Sequence, residues 1–71
     1  MAISLNTIRT GKKYFFRNFG EERVFQVMRI LSDEDFLLKD LHSLEKYNYS
    51  ELVQFGKGED YELIEFELHQ P

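Results

Sequence analysis

Two runs rich in aromatic and β-branched residues, Tyr14 to Phe19 and Arg23 to Leu31, are separated only by Gly20-Glu21-Glu22. Strand-forming runs joined by a short glycine-containing link read as a β-hairpin. A three-residue loop pairs Phe19 with Arg23, Arg17 with Phe25, Phe15 with Val27 and Tyr14 with Met28, and opposed residues share a face. One face then carries Tyr14, Phe16, Asn18, Val24, Gln26, Met28 and Ile30 without a charge. The other carries Lys13, Phe15, Arg17, Phe19, Arg23, Phe25, Val27 and Arg29. A slip of one residue would bring Arg23 and Arg29 beside Tyr14 and Phe16, so the charge pattern favours one register.

Turn signals divide the rest of the chain into strand-length pieces. Residues 1–11 form a lead-in, with Ile3, Leu5 and Ile8 spaced as a short edge strand needs and Thr10-Gly11 closing it. Ser32-Asp33-Glu34-Asp35 is a polar turn, Phe36 to Leu41 a third strand, and Leu44 to Tyr49 an alternating fourth. Ser50 to Gly56 reads as a helical turn, with Ser50 as N-cap and Gly56 just past its end. After Gly56-Lys57-Gly58, Tyr61 to Leu68 alternates as a last strand, with Ile64, Phe66 and Leu68 inward and Glu65 and Glu67 outward. The inward set expected from these rows includes Phe16, Met28, Leu38 and Phe66. A competing pattern makes about 33–47 a helix, with Ser32 as N-cap and Leu37, Leu38, Leu41 and Leu44 as its apolar stripe, which would give an α+β fold. The strand reading leads because Phe36-Leu37-Leu38 is a short apolar block directly after a turn.

The fold class expected is therefore all-β: about five strands in one small domain, with one short helical turn before the last strand. Residues 12–68 form its body and residues 69–71 a tail. The runs Asn18-Phe19-Gly20-Glu21-Glu22, Lys39-Asp40-Leu41, Leu44-Glu45-Lys46-Tyr47 and Phe55-Gly56-Lys57-Gly58 resemble those of small uncharacterised bacterial proteins with an SH3-like, or Tudor-like, barrel. The resemblance covers most of residues 12–68 and implies a small barrel. It implies no function, since such scaffolds serve peptide, methylated-side-chain and nucleic-acid binding alike.

Seven Phe and four Tyr must supply the core, because a chain this short buries only about 60% of its unfolded surface. Cysteine is absent, so the chain folds on packing alone and suits a reducing cytoplasm. No run approaches the length of a membrane span, and the first residues lack the pattern of an export signal. The net charge of -4 hides a division. Residues 1–30 carry six Lys or Arg against two Glu, whereas residues 31–71 carry three Lys against eleven acids. Such a division marks either a basic binding surface or ordinary solubility.

The candidate ligand-binding face is the charged side of the hairpin, where Phe15 and Phe25 alternate with Arg17, Arg23 and Arg29. Rings interleaved with cations are what single-stranded nucleic acid needs, for stacking and for phosphate neutralisation. The competing view makes this the outer side of a curled sheet, with its arginines paired to the acidic last strand. Tyr14, Tyr47, Tyr49 and Tyr61 form a candidate aromatic cage for a cationic ligand, if their rings converge. Core packing explains the same residues.

Asp40, His42 and Glu45 read as a solvated turn, with no second cluster to complete a metal site. Ser32, Ser43 and Ser50 are tied to His42 or His69 by no catalytic spacing, and Gly56-Lys57-Gly58 lacks the glycine pattern of a phosphate loop. The expectation is thus a chain that is no enzyme and has no cofactor: an interaction module for a protein or peptide partner, as monomer or homodimer. The alternative is weak binding of single-stranded nucleic acid.

Overall fold

The computed structural model describes residues 5–66, Phe66 by its backbone alone. Five antiparallel strands follow one another as β1 (Lys13–Asn18), β2 (Glu21–Ser32), β3 (Asp35–Asp40), β4 (Lys46–Asn48) and β5 (Glu62–Phe66), with a single helical turn α1 (Tyr49–Leu52) before the last. Their order in the sheet is β4-β3-β2-β1-β5. The fold is all-β, and strands β3 and β4 occupy the residues of the competing helix. The lead-in, expected as an edge strand, is instead a 3-10 turn over Leu5–Thr7 that leads to buried Ile8. No helix among the described residues is long and apolar enough to cross a membrane.

The first hairpin turns on two residues, not three. Asn18 pairs with Glu21, and the ladder continues through Phe16 with Arg23, Phe15 with Val24 and Tyr14 with Phe25. Both turn residues have positive φ, 51° at Phe19 and 78° at Gly20, the geometry that matches the twist of a two-residue hairpin. Phenylalanine is an uncommon occupant of that region. Here it is held from afar: the Asp60 carboxylate accepts the N–H of Phe19 at 2.9 Å and of Gly20 at 2.8 Å. The Phe19 ring also lies so close over Gly58 that a Cβ added there would meet it at 2.9 Å.

Relative to the expected pairing, the register moves by three residues. An odd shift turns one strand over. Tyr14 and Phe16 face inward as expected, but in β2 the inward residues are Phe25 and Val27, each 1% exposed, while Met28 is 38% exposed. Met28 is also an extra residue between the pairs Val27–Leu38 and Arg29–Leu37. This bulge resets the alternation, so that Arg29 leaves the side of Phe25 and Val27 and stays exposed. The last strand is inverted too. Leu63 is buried, Ile64 is exposed, and Glu65 reaches the Tyr14 hydroxyl at 3.3 Å. The expectations for the Phe66 side chain, Glu67 and Leu68 lie outside the described residues.

The core is a single cluster of Ile8, Tyr14, Phe16, Phe25, Val27, Phe36, Leu38, Tyr49 and Leu63, with Leu5, Tyr47, Leu52, Val53 and Tyr61 packed against it. Its strand residues share one side of the sheet, with Leu5, Ile8 and α1 packed against them. The N-cap of α1 is Asn48, not Ser50. The Glu51 carboxylate accepts the Asn48 N–H at 2.8 Å, and Ser50 instead donates twice to Asp35.

Candidate interaction face

The hairpin residues singled out from the sequence do not share one surface. Phe15 and Arg17 point outward, with the Arg17 guanidinium 5.8 Å from the centre of the Phe15 ring. Phe25 is in the core on the opposite side, because the two-residue turn reversed β2. Arg23 is on that inner side at the end of the sheet, 5.3 Å from the Tyr47 ring. Arg29 lies exposed beyond the bulge, with no ion-pair partner among the described residues. Arg17 is also neutralised, by Glu62 of the last strand at 2.6 Å and by Glu22 at 3.8 Å, while its Nε donates to the Asp60 carbonyl.

The four tyrosines do not form a cage. Tyr14 and Tyr49 are buried, and the Tyr49 hydroxyl is 2.6 Å from that of Tyr61. The Tyr61 ring already has the Lys57 ammonium 4.9 Å from its centre. Tyr47 donates to Asp40 at 2.7 Å. Burial pushes the hydroxyls of Tyr47 and Tyr49 upward, and the bonds to Asp40 and Tyr61 push each further.

Asp40 is an internal clamp. Its carboxylate accepts the N–H groups of His42 and Ser43 at 2.8 Å each and closes the turn to β4. Burial alone raises its pKa, yet the bonds from Tyr47, Ser43 and His42, with Arg23 nearby, hold it below the usual value. A depressed folded-state pKa contributes stability above the unfolded pKa, lost as pH falls through the folded one. Asp40→Asn is therefore expected to be least favourable near pH 7, with its deficit against the wild type shrinking below about pH 4. Urea denaturation across that range measures the deficit. A gap that stays constant would mean the Asp40 charge contributes nothing.

What the outward side of the sheet does bring together is visible only once the register is known. Three of its rows run side by side across the strands, with Arg29–Leu37–Asn48 beyond them. The first is Glu62–Arg17–Glu22, already paired within itself. Next comes an apolar row, Ile64–Phe15–Val24. Then comes a basic row, Lys13–Gln26–Lys39–Lys46, drawn from four strands. None of these residues is buried, and no element among the described residues covers them. Lys13, Lys39 and Lys46 have no ion-pair partner among the described residues. Phe15 and Val24 also line an open groove of about 460 Å³, together with Glu22, Arg23, Asp40, His42, Ser43 and Glu45.

No local sequence signal marks the lysine row, because its members come from separate strands. Outward alternation in β1, β3 and β4 was the one available hint, and it needed the pairing to become a row. No protein-family model, curated protein or solved structure matches the chain.

Proposed function

We propose that this chain is a non-catalytic interaction module that binds a protein or peptide partner across the outward face of its sheet. The observation that carries the reading is the direct opposition of Lys39 and Lys46 in neighbouring strands. Like charges placed opposite one another oppose folding, by a few tenths to about 1 kcal/mol. In a chain of net charge -4, with acids abundant, such a pair is a cost to the isolated domain. A partner that meets the lysines turns that cost into recognition, a common trade between stability and function. The adjacent apolar row supplies a surface to be desolvated. The setting in this reading is a reducing cytoplasm, suited to a chain that folds without cysteine.

Lys46→Glu tests the reading with two measurements of opposite sign. The substitution replaces a repelling pair by an attracting one, so thermal unfolding should shift upward. Affinity capture from lysate, with nuclease added, should meanwhile lose whatever the wild-type chain retains specifically. A variant that is more stable and captures the same proteins would remove the lysine row from the proposed function.

A further inference from the structure

We infer that the outward face takes a short acidic peptide segment, with carboxylates along Lys46, Lys39 and Lys13 and an apolar side chain in the groove that Phe15 and Val24 line. The inference rests on the interaction-module reading above and adds to it the chemistry of the partner.

Charge complementarity sets the direction. Across the face run the self-paired row Glu62–Arg17–Glu22, with two carboxylates to one guanidinium, an apolar strip, and the lysines, which have no ion-pair partner among the described residues. Arg17 is already bound by Glu62 and Glu22, so it offers an incoming anion little. A ligand with carboxylates on one side and an apolar side chain on the other is thus oriented by attraction to the lysines and repulsion from the opposite row.

Spacing fits the same ligand. Neighbouring strands lie about 4.8 Å apart, so the three steps from Lys46 to Lys13 span about 14 Å. Alternate side chains of an extended peptide are about 6.8 Å apart, so three acids at alternate positions cover the same length. The groove of about 460 Å³ beside them is wide enough for an apolar side chain. The row crosses the strands, so binding uses side chains and needs no free sheet edge.

Single-stranded nucleic acid is less well matched. It uses successive aromatic platforms for its bases. On this face Phe15 is the one aromatic side chain among those described, the Arg17 guanidinium already overlies it, and Phe25 is in the core.

Amide-shift titration of the ¹⁵N-labelled chain tests the assignment with three probes at low salt: a capped peptide alternating Glu and Leu, its counterpart alternating Gln and Leu, and a thymidine oligonucleotide. The Glu-Leu peptide should shift amides near Lys13 to Phe15, Val24 to Gln26 and Lys39. It should bind about tenfold more weakly to a variant with Lys13, Lys39 and Lys46 all replaced by Gln, and weaken likewise as salt rises. Equal binding of the Gln-Leu peptide at this face would overturn the acidic preference while leaving an interaction face. No shift at the face with either peptide would overturn both. Tighter binding of the oligonucleotide would replace the peptide by a nucleic acid.

Discussion

Replacing Phe16 by Ala is expected to destabilise the domain by about 3 to 5 kcal/mol. Its side chain is 2% exposed and sits among the rings of Phe25, Tyr49 and Tyr61, with centroids 6.1, 6.2 and 5.8 Å away. Truncation leaves a void that these large rings, each fixed by other contacts, fill poorly. A domain of this size has only about 5 kcal/mol or somewhat more to lose, so the variant should be largely unfolded at moderate urea. Met28→Ala is the matched comparison. Met28 lies on the bulge and is 38% exposed, so its loss should stay within about 0.5 kcal/mol. Denaturation of both variants measures the difference. A loss below about 1 kcal/mol for Phe16→Ala, or a larger one for Met28→Ala, would mean that the core lies elsewhere.

The second large effect is expected at a polar residue. Asn18 is 3% exposed and ties the hairpin to the segment after α1. Its side-chain oxygen accepts the Gly58 N–H at 2.7 Å, and its amide donates to the carbonyls of Gly56 at 3.0 Å and Leu52 at 3.4 Å. Asn18→Leu keeps the number and branching of the side-chain heavy atoms but adds bulk and removes all three bonds, leaving backbone groups without partners. Loss of about 2 to 4 kcal/mol is expected, since each buried group left unsatisfied costs about 1 to 3 kcal/mol. Hydrogen exchange should localise the damage, with protection lost at Gly58 and in the turn before β5. Unchanged exchange there would show that the Asn18 bonds do not hold the segment.

Much of this fold was legible from turn chemistry. Asp33 and Glu34 turn β2 into β3, Gly56 ends the segment after α1 at a φ of 93°, and the uncharged row of β1 faces the core. The faces of β2 were misread for one local reason. Phe19 disfavours positive φ, so a reading by residue preference moves the turn onto Gly20-Glu21-Glu22. Asp60, forty-one positions from Phe19, overrides that preference by bonding both turn amides. Strand β5 misled differently. Leu63 and Ile64 are adjacent apolar residues, so alternation alone offers either face, and Glu65 goes inward because the Tyr14 hydroxyl meets it.

The candidate site inherited the same error. A reversed β2 scattered the proposed arginine and phenylalanine face, and the correct pairing assembled a lysine row that no stretch of sequence contains. The anticipated pairing of an arginine with the acidic last strand is present, but through Arg17 and Glu62. Core and interaction face are thus two sides of one register.

Cross-strand Hα–Hα nuclear Overhauser effects in the first hairpin test that register most directly. In an antiparallel pair the non-hydrogen-bonded positions bring Cα atoms to about 4.5 Å, close enough for strong signals. Since Val27 N–H bonds the Lys12 carbonyl, the alternate pair Phe15–Val24 is one of these positions. A strong Phe15–Val24 signal is expected, with others from Lys13 to Gln26 and from Arg17 to Glu22. A Phe15–Val27 signal in its place would contradict that register, returning Phe25 to the outer surface and dissolving the lysine row.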